Sequence, residues 1–113
     1  MSLAGKTRLA KAVEPEEGES YLITKVEEIK TQVQGFQGLR VSLKSEKKSN
    51  VEYATMLWLR EAAGAKSKLG AFLSAFEKFF GSEEEALQYS NWVNHKIRII
   101  SWKPRAREIV VID

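Results

Sequence analysis

Cysteine is absent from this 113-residue chain, and histidine occurs once, as His95. Without thiols there is no disulfide framework, no thiolate zinc site and no cysteine nucleophile. One imidazole cannot make a histidine metal cluster. No apolar run approaches the roughly 20 residues that cross a bilayer, and the opening residues MSLAGKTRLAK lack the apolar core of a signal peptide. The expectation is a soluble, cytoplasmic protein that uses no cofactor and no metal and does not associate with a membrane. Paired carboxylates at catalytic spacing are missing too. Seven of the 15 acidic residues fall in two solvated runs, Glu14 to Glu19 and Glu83 to Glu85, whereas acid–base catalysis or a metal cage needs converging carboxylates. The chain is therefore expected not to be an enzyme.

What the chain does have is an uneven surplus of positive charge. The net charge is only +3, but with nearly half of the acids gathered in two runs the remaining surface must be basic. Residues 1–19 show no hydrophobic period and contain Pro15 and the acidic run, so they read as a flexible arm. Residues 20–113 then suffice for one domain with a core.

The clearest helix is Ser67 to Gly81, SKLGAFLSAFEKFFG. Leu69, Phe72, Leu73, Phe76, Phe79 and Phe80 recur at helical spacing and define a stripe that must be buried. Ser67 is suited to the N-cap and Gly81 to a left-handed C-terminal residue. Ser82 with Glu85 forms a capping-box pattern that starts a short second helix reaching about Tyr89. Strand patterns surround these helices. In Tyr21 to Val33 the apolar positions Leu22 and Val26, then Ile29 and Val33, change parity, which predicts a bulge near Glu27 and Glu28. Leu39, Val41 and Leu43 alternate with Arg40, Ser42 and Lys44 in the second strand. Val51 to Arg60 forms a third, with Val51, Tyr53, Thr55, Leu57 and Leu59 on one face and Glu52, Ala54, Met56, Trp58 and Arg60 on the other. A fourth runs from Lys96 to Trp102, with Ile97 and Ile99 on one side and Arg98, Ile100 and Trp102 on the other. Asn94 suits a left-handed turn before it. Pro104 ends that strand, and Arg107 to Ile112 makes the last.

The predicted fold is mainly β with one main helix. Its element order, three strands, a helix and two strands, resembles the OB-fold, a five-stranded Greek-key barrel with a helix between strands three and four. Within it SKLGAFLSAF, the turn Trp92 to Lys96 and the strand KIRIISW resemble single-strand-binding OB proteins of phage and archaeal replication. The resemblance implies single-stranded nucleic-acid binding, of DNA or RNA, with little sequence preference, across strands two and three and the loops beside them.

The residues that fit this role are Phe36, Arg40, Lys44, Trp58, Arg60, Arg98, Trp102, Lys103, Arg105 and Arg107. They combine cations for phosphates with rings on which bases stack. From Lys96 to Arg107 there are five cations and no carboxylate. The ordinary reading of each is also open. A basic row on a strand is often only a solvated face, Trp58 can pack under a loop, Trp92 can be a lid on the barrel, and His95 a surface turn residue. A second function, a protein-interaction OB module that docks on a replication or repair protein or pairs with a second copy, would use Phe36, Trp58 or the aromatic helix.

Overall fold

The computed structural model describes residues 13–30, 37–58, 64 and 66–113. Five strands, β1 (Ser20–Lys30), β2 (Gln37–Ser45), β3 (Tyr53–Trp58), β4 (Lys96–Lys103) and β5 (Ala106–Val111), form one sheet. Its order is β3-β2-β1-β4-β5, and every neighbouring pair is antiparallel. Between β3 and β4 in the chain come helix α1 (Lys68–Phe80), the short helix α2 (Glu83–Leu87) and a 3₁₀ turn, Tyr89–Trp92.

The expected closed barrel is not seen, because β3 and β5 do not pair among the described residues. Just ahead of α1, Lys66 lies beside β5 instead. The amide of Arg107 in β5 donates to the Lys66 carbonyl at 3.1 Å, so a strand-like bond is made to this connecting segment.

Local chemistry explains the helix ends. The Ser67 side chain accepts from the Gly70 amide, and Gly81 ends α1 at φ 71° with its amide donating to the Glu77 carbonyl. Both groups satisfy backbone that a helix end otherwise leaves open. Ser82 caps α2 through the Glu85 amide, but α2 ends at Leu87 and the chain tightens into the 3₁₀ turn before Asn94 turns it at φ 73°.

Phe72 and Phe76 of α1 are completely buried, as is Trp92. The Trp92 ring stacks on Phe76 at 5.2 Å with a 2° interplanar angle and on Phe72 at 5.5 Å. Its indole N–H reaches the Ala86 carbonyl at 2.9 Å, which supplies the partner a buried indole requires. Trp92 therefore joins the helices to the sheet's apolar face, made of Tyr21, Ile23, Leu39, Val41, Tyr53, Leu57, Ile97 and Ile99. The predicted stripe on α1 is narrower than expected. Leu69, Phe72 and Phe76 are buried, Leu73 and Phe80 are partly so, and Phe79 stands 45% exposed.

Two bulges shift the strand faces. The bulge in β1 falls between Ile23 and Lys25, ahead of the expected Glu27–Glu28 position. Tyr21 and Ile23, rather than Leu22, consequently point into the core before it, and Val26 does so after it. In β4 a second bulge lies between Ile99 and Ser101. The extra residue leaves Ile100 exposed and reverses the parity of the rest of the strand, since each side-chain step along a strand changes face. Trp102 is thus not on the outer face with Arg98. It pairs across the ladder with Arg107, and its ring meets the buried Phe72 edge-on at 6.5 Å.

Residues 13–19, the described part of the expected arm, are tied down. Val13 bridges to Tyr53 in β3, Gly18 donates to the Ile99 carbonyl at 2.7 Å, and Glu19 accepts from the Ile99 amide at 3.0 Å. Residues 1–12 lie outside the described residues.

Candidate nucleic-acid interface

The outer face of β2 and β3 is built by register. Cross-strand partners project from one side of a sheet, and the pairs Gly38 with Trp58, Arg40 with Met56 and Ser42 with Ala54 set this row. Leu39, Val41 and Leu43 are buried behind it, so the predicted alternation of β2 holds. Arg40 is half-buried, and Lys44 is exposed. Trp58 is 41% exposed, and its indole lies close against the glycine opposite. A Cβ on Gly38 would stand 2.9 Å from Trp58 Cε3 and 3.1 Å from Cζ3. The absent side chain at 38 therefore makes the room in which the ring lies across the sheet.

At the other end of the sheet, Lys103 pairs with Ala106, leaving Pro104 and Arg105 as a two-residue turn. Pro104 fixes φ near −65° and Arg105 has φ 63°, the pattern of a type II turn, which favours glycine at its second central position. An arginine occupies it. Arg98, Lys103 and Arg105 are all exposed. Arg107, on the other side of its strand, places its guanidinium 5.2 Å from the Trp102 ring centre, a cation–π distance. The Arg107 Nε is buried with no hydrogen-bond partner among the described residues.

Trp102 is half-buried and its donors are occupied. Its indole N–H reaches Glu14 Oε1 at 3.2 Å and its backbone amide reaches Glu17 Oε1 at 3.0 Å. The same Glu14 oxygen accepts from the Thr55 hydroxyl at 3.0 Å and from Lys68 Nζ at 2.6 Å. Thr55 is buried, so Glu14 answers a hydroxyl that would otherwise lose its hydrogen bond. Trp102 therefore packs beneath Lys68 and Arg107, whose charged ends lie over its ring.

The cations divide into two sets. Lys25, Lys47, Lys48, Lys66, Lys68 and Lys96 each lie between 2.6 and 3.8 Å from a carboxylate oxygen. Arg40, Lys44, Arg98, Lys103, Arg105 and Arg107 make no ion pair among the described residues, and neither does Lys78.

The structure brings part of the predicted set together. Trp58 and Arg107 line one recess with Met56, Lys68 and Leu69, and Arg105 and Arg107 line an adjoining depression with Lys66 and Lys68. Arg98, beside Ser20 and Val110, lies apart on β4 and β5, and Lys44 neighbours Leu22. Phe36 and Arg60 lie outside the described residues. Sequence reasoning missed Lys66, Lys68 and Met56. The two lysines flank the N-cap Ser67, a position that by itself suggests an anion at the start of the helix.

No family model matches this chain, and no characterised protein resembles it closely enough in sequence to count as a relative. Among the described residues, no helix is long and apolar enough to cross a membrane.

Proposed function

We propose that the chain is a non-enzymatic single-stranded nucleic-acid-binding protein, with DNA as its principal ligand and little sequence preference. We read its sheet as an OB-type barrel left open between β3 and β5. The carrying observation is the division of the cations. Of the ten residues singled out by pattern, all six described Lys and Arg side chains are without a carboxylate partner among the described residues, whereas six lysines elsewhere are paired. Unpaired cations on a protein surface are free to replace the counterions of phosphates, and such contacts carry no base information. Trp58, 41% exposed and on the same face as Arg40, supplies an aromatic side chain of the kind on which bases stack.

One observation favours a second reading, docking to a replication or repair protein. Phe79 is 45% exposed on α1 and lines neither of the two recesses. A single titration separates the two. The anisotropy of a fluorescein-labelled (dT)12 should rise on adding the protein at 20 mM salt and fall back at 500 mM. Absence of any rise at 20 mM rejects nucleic-acid binding and leaves the docking role.

A further inference from the structure

The recess beside Trp58, of about 220 Å³, and the depression beside Arg105, of about 560 Å³, share Gly64, Ser67, Lys68 and Arg107. The two adjoin along these four residues and are taken together as one trough beside β5. Its two ends differ in chemistry. One end is lined by Trp58, Met56 and Leu69, the other by Lys66, Pro104 and Arg105. At the cationic end Lys66 is matched by Glu108 at 3.5 Å and Lys68 by Glu14 at 2.6 Å. Arg105 and Arg107 then carry the net positive charge. Arg107 also has a buried Nε with no acceptor among the described residues, a group that ordinarily finds a protein, water or ligand oxygen.

Resting on the nucleic-acid reading above, we propose that this trough is a single-nucleotide anchor. The base of one nucleotide lies against Trp58 and Met56, and its phosphate lies between Arg105 and Arg107. The ligand class derives from the trough's polarity. A planar aromatic body joined to an anionic oxygen cluster matches an aromatic end followed by an arginine pair, whose planar forks suit phosphate oxygens. The site adjoins the cationic row of Arg40 and Lys44 on β2, since Arg40 is the cross-strand partner of Met56. That row would hold neighbouring phosphates without enclosing a base.

Two measurements on the full chain test the anchor. In ¹H–¹⁵N spectra, thymidine 5′-monophosphate should shift the Trp58 indole and Arg105 amide signals together along one binding curve, whereas inorganic phosphate should shift Arg105 and leave the indole in place. With labelled (dT)12, Arg105→Gln and Arg107→Gln should each make the log–log salt slope shallower by about 0.7. Trp58→Ala should weaken binding roughly 5- to 150-fold with the slope unchanged. Lys78→Gln removes an equally unpaired charge from the last turn of α1 and should leave affinity and slope as they are. Arg105 is exposed in a turn, so its variant remains informative if Arg107→Gln does not fold. If (dT)12 binds but Arg105→Gln behaves like Lys78→Gln, the anchor is wrong while the nucleic-acid reading stands. If the monophosphate shifts Arg105 without Trp58, base and phosphate do not share one site and the anchor is equally overturned. If the wild type does not bind (dT)12 at all, it is the functional reading that fails.

Discussion

Arg105→Gly separates what the β4–β5 turn needs for folding from what it offers a ligand. Arg105 holds φ 63° in a two-residue turn after Pro104, and a left-handed conformation costs a residue with a Cβ about 1 to 2 kcal/mol. Glycine removes that cost but adds freedom to the unfolded chain, worth about 0.4 to 1 kcal/mol in the other direction. The guanidinium has no ion pair among the described residues to lose. The net expectation is a gain of roughly 0.5 to 1 kcal/mol, which for a domain of this size raises the thermal midpoint by about 2 to 6 °C. Circular dichroism melts of wild type, Arg105→Gly and Arg105→Lys measure it, since lysine keeps both charge and strain and should leave the midpoint where it is. Affinity for (dT)12 should move the opposite way, weakened by glycine and largely retained by lysine. A lower midpoint in Arg105→Gly would refute the reasoning, for it would mean that the arginine side chain holds the hairpin together.

Three other perturbations bear on different parts of the molecule. Phe76→Ala removes a completely buried ring stacked between Trp92 and Phe80 and should cost about 3 to 5 kcal/mol, read as a lower urea midpoint; an unchanged midpoint would show that α1 is not part of the core. Gly38→Ala puts a methyl 2.9 Å from the Trp58 ring, and overpacking of this kind costs about 1 to 3 kcal/mol unless the ring swings away. Altered tryptophan emission with weakened (dT)12 binding is the expected result, and unaltered emission would contradict the contact. Burial raises the Tyr21 hydroxyl above its usual pKa of 10.0, the Glu16 amide that it accepts opposing in part. A raised folded value means that the stabilisation is complete below the unfolded pKa, about 10, and is lost as pH rises through the folded one. Stability should thus begin to fall near pH 10, and Tyr21→Phe should flatten that decline while losing about 1 kcal/mol at neutral pH; an equal decline in both proteins would assign it to other groups.

Much of this architecture is legible in the chain because its signals are local. The Ser67 cap, the αL residues Gly81 and Asn94, and the alternation of Leu39, Val41 and Leu43 each depend on residues within a few positions of one another. The misplacements come from the two bulges. An extra residue at 24 or 100 changes no propensity, yet it reverses the face of everything beyond it. That is why simple alternation puts Leu22 inside and Trp102 outside, where the structure has the reverse. The site is legible as a composition of cations and rings but not as a place. Lys66 and Lys68 meet Arg105 and Arg107 only through a contact between the chain ahead of α1 and β5. Nor does any local pattern in residues 13–19 announce that Glu14 will meet Thr55, Lys68 and Trp102.

That carboxylate has a consequence for the order in which the chain folds. Its three donors lie 41, 54 and 88 residues further along the sequence, so the hub exists only after β3, α1 and β4 have been assembled. Contacts of such long range carry their loop-closure cost before they contribute anything, which places the docking of residues 13–19 late, after the rate-limiting step. Glu14→Gln should accordingly leave the refolding limb of a chevron where it is and raise the unfolding limb. The N-terminal segment then acts as a latch on an already folded sheet, setting how long the native state lasts and not how quickly it is reached.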